Sequence, residues 1–214
     1  MPRFSSEINI AAIAVALVIS VTLLVSLPAK SQIDKSHATF NEAVQAVKDK
    51  DFRHAAKLFL LQAENDQHDA QYNLALLLEA GKGIPQNFAK ALIWAWSAQL
   101  GGIEAAQELA EGLSDNIPQK SIEEVRTAVH ARLQARIKAG SADAVSQFAT
   151  FHLQLLEEPD YETAYIWFSI SAALGLEGAL EARDDARDNV DDEKITDLQS
   201  EAGMIYENLN ISLD

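Results

Sequence analysis

The sequence predicts an all-α protein, a solenoid of helical hairpins preceded by a single N-terminal transmembrane helix. Three observations predict it. From Ser36 onward, runs rich in Ala, Leu, Gln, Glu and Lys recur at helical spacing, with almost no strand-type alternation. The chain matches itself under one constant shift, the one that lays Trp94 on Trp167. Residues 8–27 form a 20-residue stretch without charge, long enough to cross a hydrocarbon core as a helix.

The first element is a short tail, residues 1–7, with Arg3 and Glu7. The apolar stretch from Ile8 to Leu27 follows, and Pro28 ends it. The leading reading is an uncleaved membrane anchor. A cleaved signal peptide and a buried core helix are the alternatives. The run is long for a signal, and the best cleavage site, Ala29-Lys30-Ser31, is mediocre. Basic residues are nearly balanced across the stretch, but a short tail favours an N-terminus held inside. The expectation is therefore a single-pass inner (plasma) membrane protein with a periplasmic repeat domain. Residues 28–36 read as a linker and 37–210 as the repeat domain. Helices are expected near 37–48, 51–65, 68–80, 86–101, 103–113, 119–138, 141–156, 160–174, 177–188 and 192–209.

The same shift brings Ala91 onto Ala164, Gly102 onto Gly175 and Ala106 onto Ala179. Further on, Asp115-Asn116-Ile117 meets Asp188-Asn189-Val190 and Ile122 meets Ile195. Chance pairing of helices preserves polarity, not two tryptophans and two glycines in one register. The period is about twice that of a helical-hairpin repeat. It reads as a duplicated block of two hairpins, preceded by one further hairpin near 37–66. In the first block Ala70, Leu74, Ala75 and Leu78 share one helix face. Gly81 and Gly83 punctuate the turn. Lys90, Ala91, Trp94, Ala98 and Gly102 follow at spacings of mostly three and four, small residues admitting a partner helix and Trp94 filling the space between hairpins.

This pattern resembles the Sel-one-like repeat family, a branch of the tetratricopeptide-like helical repeats. Ala70 to Gly102 reproduces the family spacing throughout, with Ala75 in place of a glycine, Leu78 of a tyrosine, Ile84 of a valine and Asn87 of an aspartate. The second copy, Ala144 to Gly175, keeps Phe148-Ala149, Ala164, Trp167 and Gly175. Its loop, Leu156 to Asp160, is one residue shorter and has no glycine. Repeats thus fall near 37–66, 69–102 and 143–175, with extra helices over 103–138 and 177–209 as caps or braces. The resemblance implies a right-handed array that binds proteins or peptides.

Composition excludes several functions. The net charge of −15 opposes binding to bare nucleic acid. With no cysteine there is no disulfide framework, thiolate site or thiol catalysis. No nucleophile elbow, phosphate loop or zinc-protease motif occurs, and no two histidines lie three to five residues apart. No catalytic, cofactor or metal residues are assigned. Asp66, His68 and Asp69 read as helix-start acids and their neighbour. Glu181 to Asp214 holds 11 acids and 3 bases, read as a solvated face or a surface for a basic partner.

The sequence therefore points to a membrane-anchored scaffold that binds a protein or peptide without catalysis. The alternatives are an assembly subunit of a membrane complex and a cell-envelope hydrolase. The resemblance supports the hydrolase poorly, because the members connected with such chemistry are rich in cysteine. First helices of repeats usually line the concave side, so Tyr72, Leu76 and Glu79 are candidate partner contacts, as are Ser146, Thr150 and Leu153. Trp96 has no repeat equivalent, since Ser169 stands in its place. It is either wedged against the next hairpin or an exposed anchor for a partner.

Overall fold

In the computed structural model, residues 29–211 are described, and their side chains from residue 37 onward. The proposed anchor, 8–27, lies outside the described residues. Among those described, the chain forms helices only, and no helix is long and apolar enough to cross a membrane. The ten α-helices are α1 (Ala29–Lys48), α2 (Phe52–Glu64), α3 (His68–Ala80), α4 (Phe88–Leu100), α5 (Ala105–Ser114), α6 (Gln119–Lys138), α7 (Ala142–Gln154), α8 (Tyr161–Ala173), α9 (Ala179–Arg187) and α10 (Ile195–Asn208). Helix α1 starts at Ala29, so most of the stretch read as a linker is helical.

Local chemistry explains the boundaries. The Asn87 side chain accepts the Lys90 amide at 2.9 Å to open α4, and its repeat equivalent Asp160 accepts the Thr163 amide at 3.0 Å to open α8. Gly81 closes α3 in the left-handed conformation. Gly83 has a second role: a Cβ there would stand 2.1 Å from the Phe52 carbonyl oxygen. The glycine loop is therefore the surface on which the start of α2 rests.

Consecutive helices α1 to α5 pack in sequence, as do α6 to α9. Ala70, Leu74, Ala75 and Leu78 of α3 are all buried, and so are Ala91 and Ala98 of α4. Alanines at these positions let the helix axes approach while Phe59, Phe151 and Ile170 fill the space between them. One expectation is corrected. Neither block is two packed hairpins. Helices α5 and α6 barely touch, and both lean on α4; in the second block α9 and α10 likewise lean on α8. Each block is one tight hairpin with two splayed helices. The stripe Val125, Val129, Leu133 and Ile137, spaced by four, lets α6 bury one face between α4 and α7.

Candidate partner-binding surfaces

The candidate contacts from the sequence lie apart from one another in character. Tyr72, Leu76 and Glu79 are half-buried on α3, and Ser146, Thr150 and Leu153 are half-buried on α7. Leu153 packs against the hydrophobic core, and the Thr150 hydroxyl donates to the Ser146 carbonyl at 3.1 Å within its own helix. Trp96 is not an exposed anchor: it is 7% exposed and more buried than Trp94. The reason is that α4 is apolar on every side and is touched by α3, α5, α6 and α7. Trp94 carries the Arg132 guanidinium 4.8 Å above its ring, whereas Trp167 meets the Phe148 ring edge-on at 4.9 Å.

Asp66 departs from its reading as a helix-start acid. It does not cap α3, whose first turn receives no side-chain cap. Its carboxylate instead pairs with two guanidiniums of α6, Arg132 at 2.9 Å and Arg136 at 2.7 Å. Arg136 also donates to Gln147 of α7, and Gln147 contacts His68 at 3.3 Å. His68 in turn meets Gln71 at 3.0 Å, and Gln71 donates to the Ala63 carbonyl at 3.2 Å. This chain of polar contacts ties the α2–α3 corner to α6 and α7, across the two blocks. Burial lowers the affinity of Arg136 for its proton and Asp66 opposes that change, so the pair keeps a charged guanidinium inside the protein. The signal for this in the sequence is the Arg132, Arg136 spacing of four, which puts two cations on one helix face and calls for an anion opposite.

A second cluster joins α6, α7 and the start of α8. His130 and His152 face each other with ring centroids 5.8 Å apart, beside Phe148, and the His152 Nδ1 lies 3.3 Å from Asp160. Burial holds both histidines below their ordinary pKa; for His152, Asp160 opposes that shift and His130 adds to it. Burial also opposes ionisation of Asp160, but the Thr163 amide and His152 outweigh it and hold the carboxyl below its usual range. The unfolded chain therefore binds protons at these histidines more readily than the folded one. Their contribution is complete above about pH 6.5 and is lost as pH falls below that value. Asp160 acts in the same direction only at much lower pH. We expect the melting temperature to drop between pH 7 and pH 5, and the drop to shrink in His152→Phe. An equal drop in both proteins, followed by circular dichroism, would contradict the assignment.

The splayed helices leave two open clefts. One, of about 590 Å³, lies between α4, α5, α6 and the end of α7, with Trp96, Glu111 and Arg126 in its lining. The other, of about 380 Å³, lies between α8, α9 and α10, with Ser169, Asp184 and Gln199. The second trio is the first carried forward by the repeat shift, residue for residue, so the clefts are the same architectural feature in two copies. Sequence reasoning missed both, because a cleft made by two connected helices failing to pair leaves no trace in local periodicity. Among the described residues no group of three His, Asp or Glu side chains is placed to hold a metal ion.

No curated protein matches the chain. The structure of c5321, a protective antigen present in uropathogenic Escherichia coli strains and displaying an SLR fold, is 16% identical, with a TM-score of 0.37 over 86% of this chain and 35% of that one. A Sel1 repeat protein from Oxalobacter formigenes is 18% identical, with a TM-score of 0.36 over 71% of this chain and 56% of that one. The chain thus spans about a third and about half of their lengths. The Sel1 repeat model matches residues 68–95 and 151–176, the stretches that hold the α3–α4 hairpin and the α7–α8 turn, and over these two segments the chain is similar to the Sel1 repeat.

Proposed function

We propose that this protein is a non-catalytic scaffold that binds another protein, held at a membrane by residues 8–27 with the repeat domain outside the cytoplasm. The observation that carries the binding reading is the pair of repeat-equivalent clefts. The α6 wall of the first cleft is positioned before any partner arrives, because the Asp66 contacts hold α6 against the α2–α3 corner. A preformed site spares the ordering cost that a flexible surface pays on association. An anchor adds to this by concentrating the module near membrane partners.

The test is crosslinking and affinity capture from membranes with the full-length chain, together with fractionation. Recovery of a defined partner in the membrane fraction, lost when the first cleft or the Tyr72, Leu76 and Glu79 face is altered, supports the reading. Recovery of the chain in the soluble fraction removes the anchor, and partners indifferent to every surface variant remove the binding surfaces.

The assembly reading rests on a different observation. Tyr206 of α10 is the repeat equivalent of Leu133, which is buried; Tyr206 is 43% exposed and Met204 is 61% exposed. At the end of the first block α7 of the second packs on α6, and no described helix after α10 takes that place. Sedimentation of residues 36–214 separates the two: a concentration-independent monomer opposes assembly through α10.

A further inference from the structure

We propose that the larger cleft, between α4, α5, α6 and the end of α7, docks a linear basic segment of the partner protein, carrying arginine or lysine. This rests on the scaffold reading above and specifies its partner. Its volume of about 590 Å³ lies within the usual range for a ligand site, roughly 300–1,000 Å³, and suits a few residues of extended chain.

Charge decides the chemistry of the occupant. No lysine or arginine occurs between Lys90 and Lys120, or between Lys138 and Arg183. The α4, α5 and α7 walls therefore contribute no cation. Glu111 and Asp115 are exposed at the α5 edge of the cleft, and the Gln107 amide donates to Glu111 at 3.0 Å, which orients that carboxylate. The one cation in the lining, Arg126, is already engaged: its Nε donates to the Leu155 carbonyl at 2.6 Å, and its guanidinium pairs with Glu123. The cleft thus presents uncompensated negative charge to an incoming ligand.

The remaining lining selects a peptide over a simple cation. Trp96 and Leu155 give an apolar floor, against which the aliphatic stem of an arginine or lysine packs. Gln99 and Gln154 bring side-chain amides, each able to donate and accept, and these match the alternating N–H and C=O groups of an extended backbone. The second cleft places cations at equivalent positions, Arg183 for Ala110 and Arg187 for Ser114. These are paired with carboxylates, Arg183 with the lining Asp184 and Arg187 with Asp192, so it presents no uncompensated negative charge. Duplication has therefore left one site suited to a basic segment and one that is not.

The experiment uses the full-length chain in detergent and a nine-residue blocked peptide alternating arginine and leucine, with the glutamate–leucine peptide as control. Binding is read by calorimetry and tryptophan emission at 150 mM salt, roughly physiological ionic strength. The basic peptide should bind saturably and the acidic one should not. The pair Glu111→Gln and Asp115→Asn should weaken binding by about tenfold, as loss of two charge-assisted contacts would. The same charge change in the second cleft region, Asp184→Asn with Asp188→Asn, should weaken it less than about twofold. Absence of saturable binding, or equal weakening by the two pairs, overturns the proposal. If the peptide fails while membrane crosslinking still recovers a partner, the basic-segment inference falls and the scaffold reading stands; if both fail, both fall.

Discussion

Asp66→Asn is expected to destabilise the protein by about 3 kcal/mol, because it leaves two partly buried guanidiniums without their anion. The Arg132, Arg136 and Asp66 side chains are 26%, 14% and 28% exposed, so solvent recovers only part of the lost interaction. Asparagine is the informative replacement. Asp66 sits at φ 60°, a conformation asparagine tolerates, so backbone strain does not confuse the result. At roughly 2–4 °C per kcal/mol for a chain of this size, the melting temperature should fall by about 6–12 °C. The contact joins segments 66 residues apart, the α2–α3 corner and α6. Glu123→Gln, at an exposed partner of Arg126, is the control and should cost less than about 1 kcal/mol. Equal effects of the two substitutions would show that Asp66 does not hold α6 to the α2–α3 corner.

Gly83→Ala should be comparably damaging, at about 3 kcal/mol, for a reason of space. Its φ of 73° strains any L-residue, and the new methyl would meet the Phe52 carbonyl carbon at 2.2 Å and the Arg53 nitrogen at 2.6 Å. These are backbone atoms at the start of α2, which cannot rotate away. The turn would have to withdraw from the preceding hairpin, adding overpacking of roughly 1–3 kcal/mol to about 1–2 kcal/mol of left-handed strain. Gly102→Ala separates the two terms. Its φ is 88°, but nothing lies within 4 Å of the added carbon, so it should show the strain alone, about 1–2 kcal/mol. Urea denaturation of the three proteins measures this directly. If Gly83→Ala is no worse than Gly102→Ala, the α2 contact is not what demands glycine there.

The clash at Gly83 supplies a physical reason for the spacing of the two glycines. Gly81 terminates a helix, which is a local task, and Gly83 makes room for a neighbouring hairpin. The second block solves the same problem otherwise. Its shorter loop has no glycine, and just before it Arg126 reaches from α6 to donate to the Leu155 carbonyl at the end of α7.

Helix positions were legible because they depend on residues within about one turn of each other: periodicity, Asn87 and Asp160 as caps, and glycine after α3. The start of α1 was less so, because the stretch after Pro28 is polar and carries no apolar stripe to announce a helix. The burial of Trp96 was illegible for another reason. Trp94 and Trp96 point to opposite sides of α4, and both sides are apolar, so the pattern could not say which faced water.

The amino-acid sequence by itself determined the all-α class, the positions of nearly all the helices and the internal duplication, since propensity, capping and repetition are written in neighbouring residues. The tertiary structure alone decided that Asp66 is the hub of an ion-pair network, that α5 and α6 part to leave a cleft, and that Trp96 floors it. Those outcomes depend on which side chains meet across tens of residues of chain, and the energy of a charge or an indole is set by the surroundings that folding brings to it.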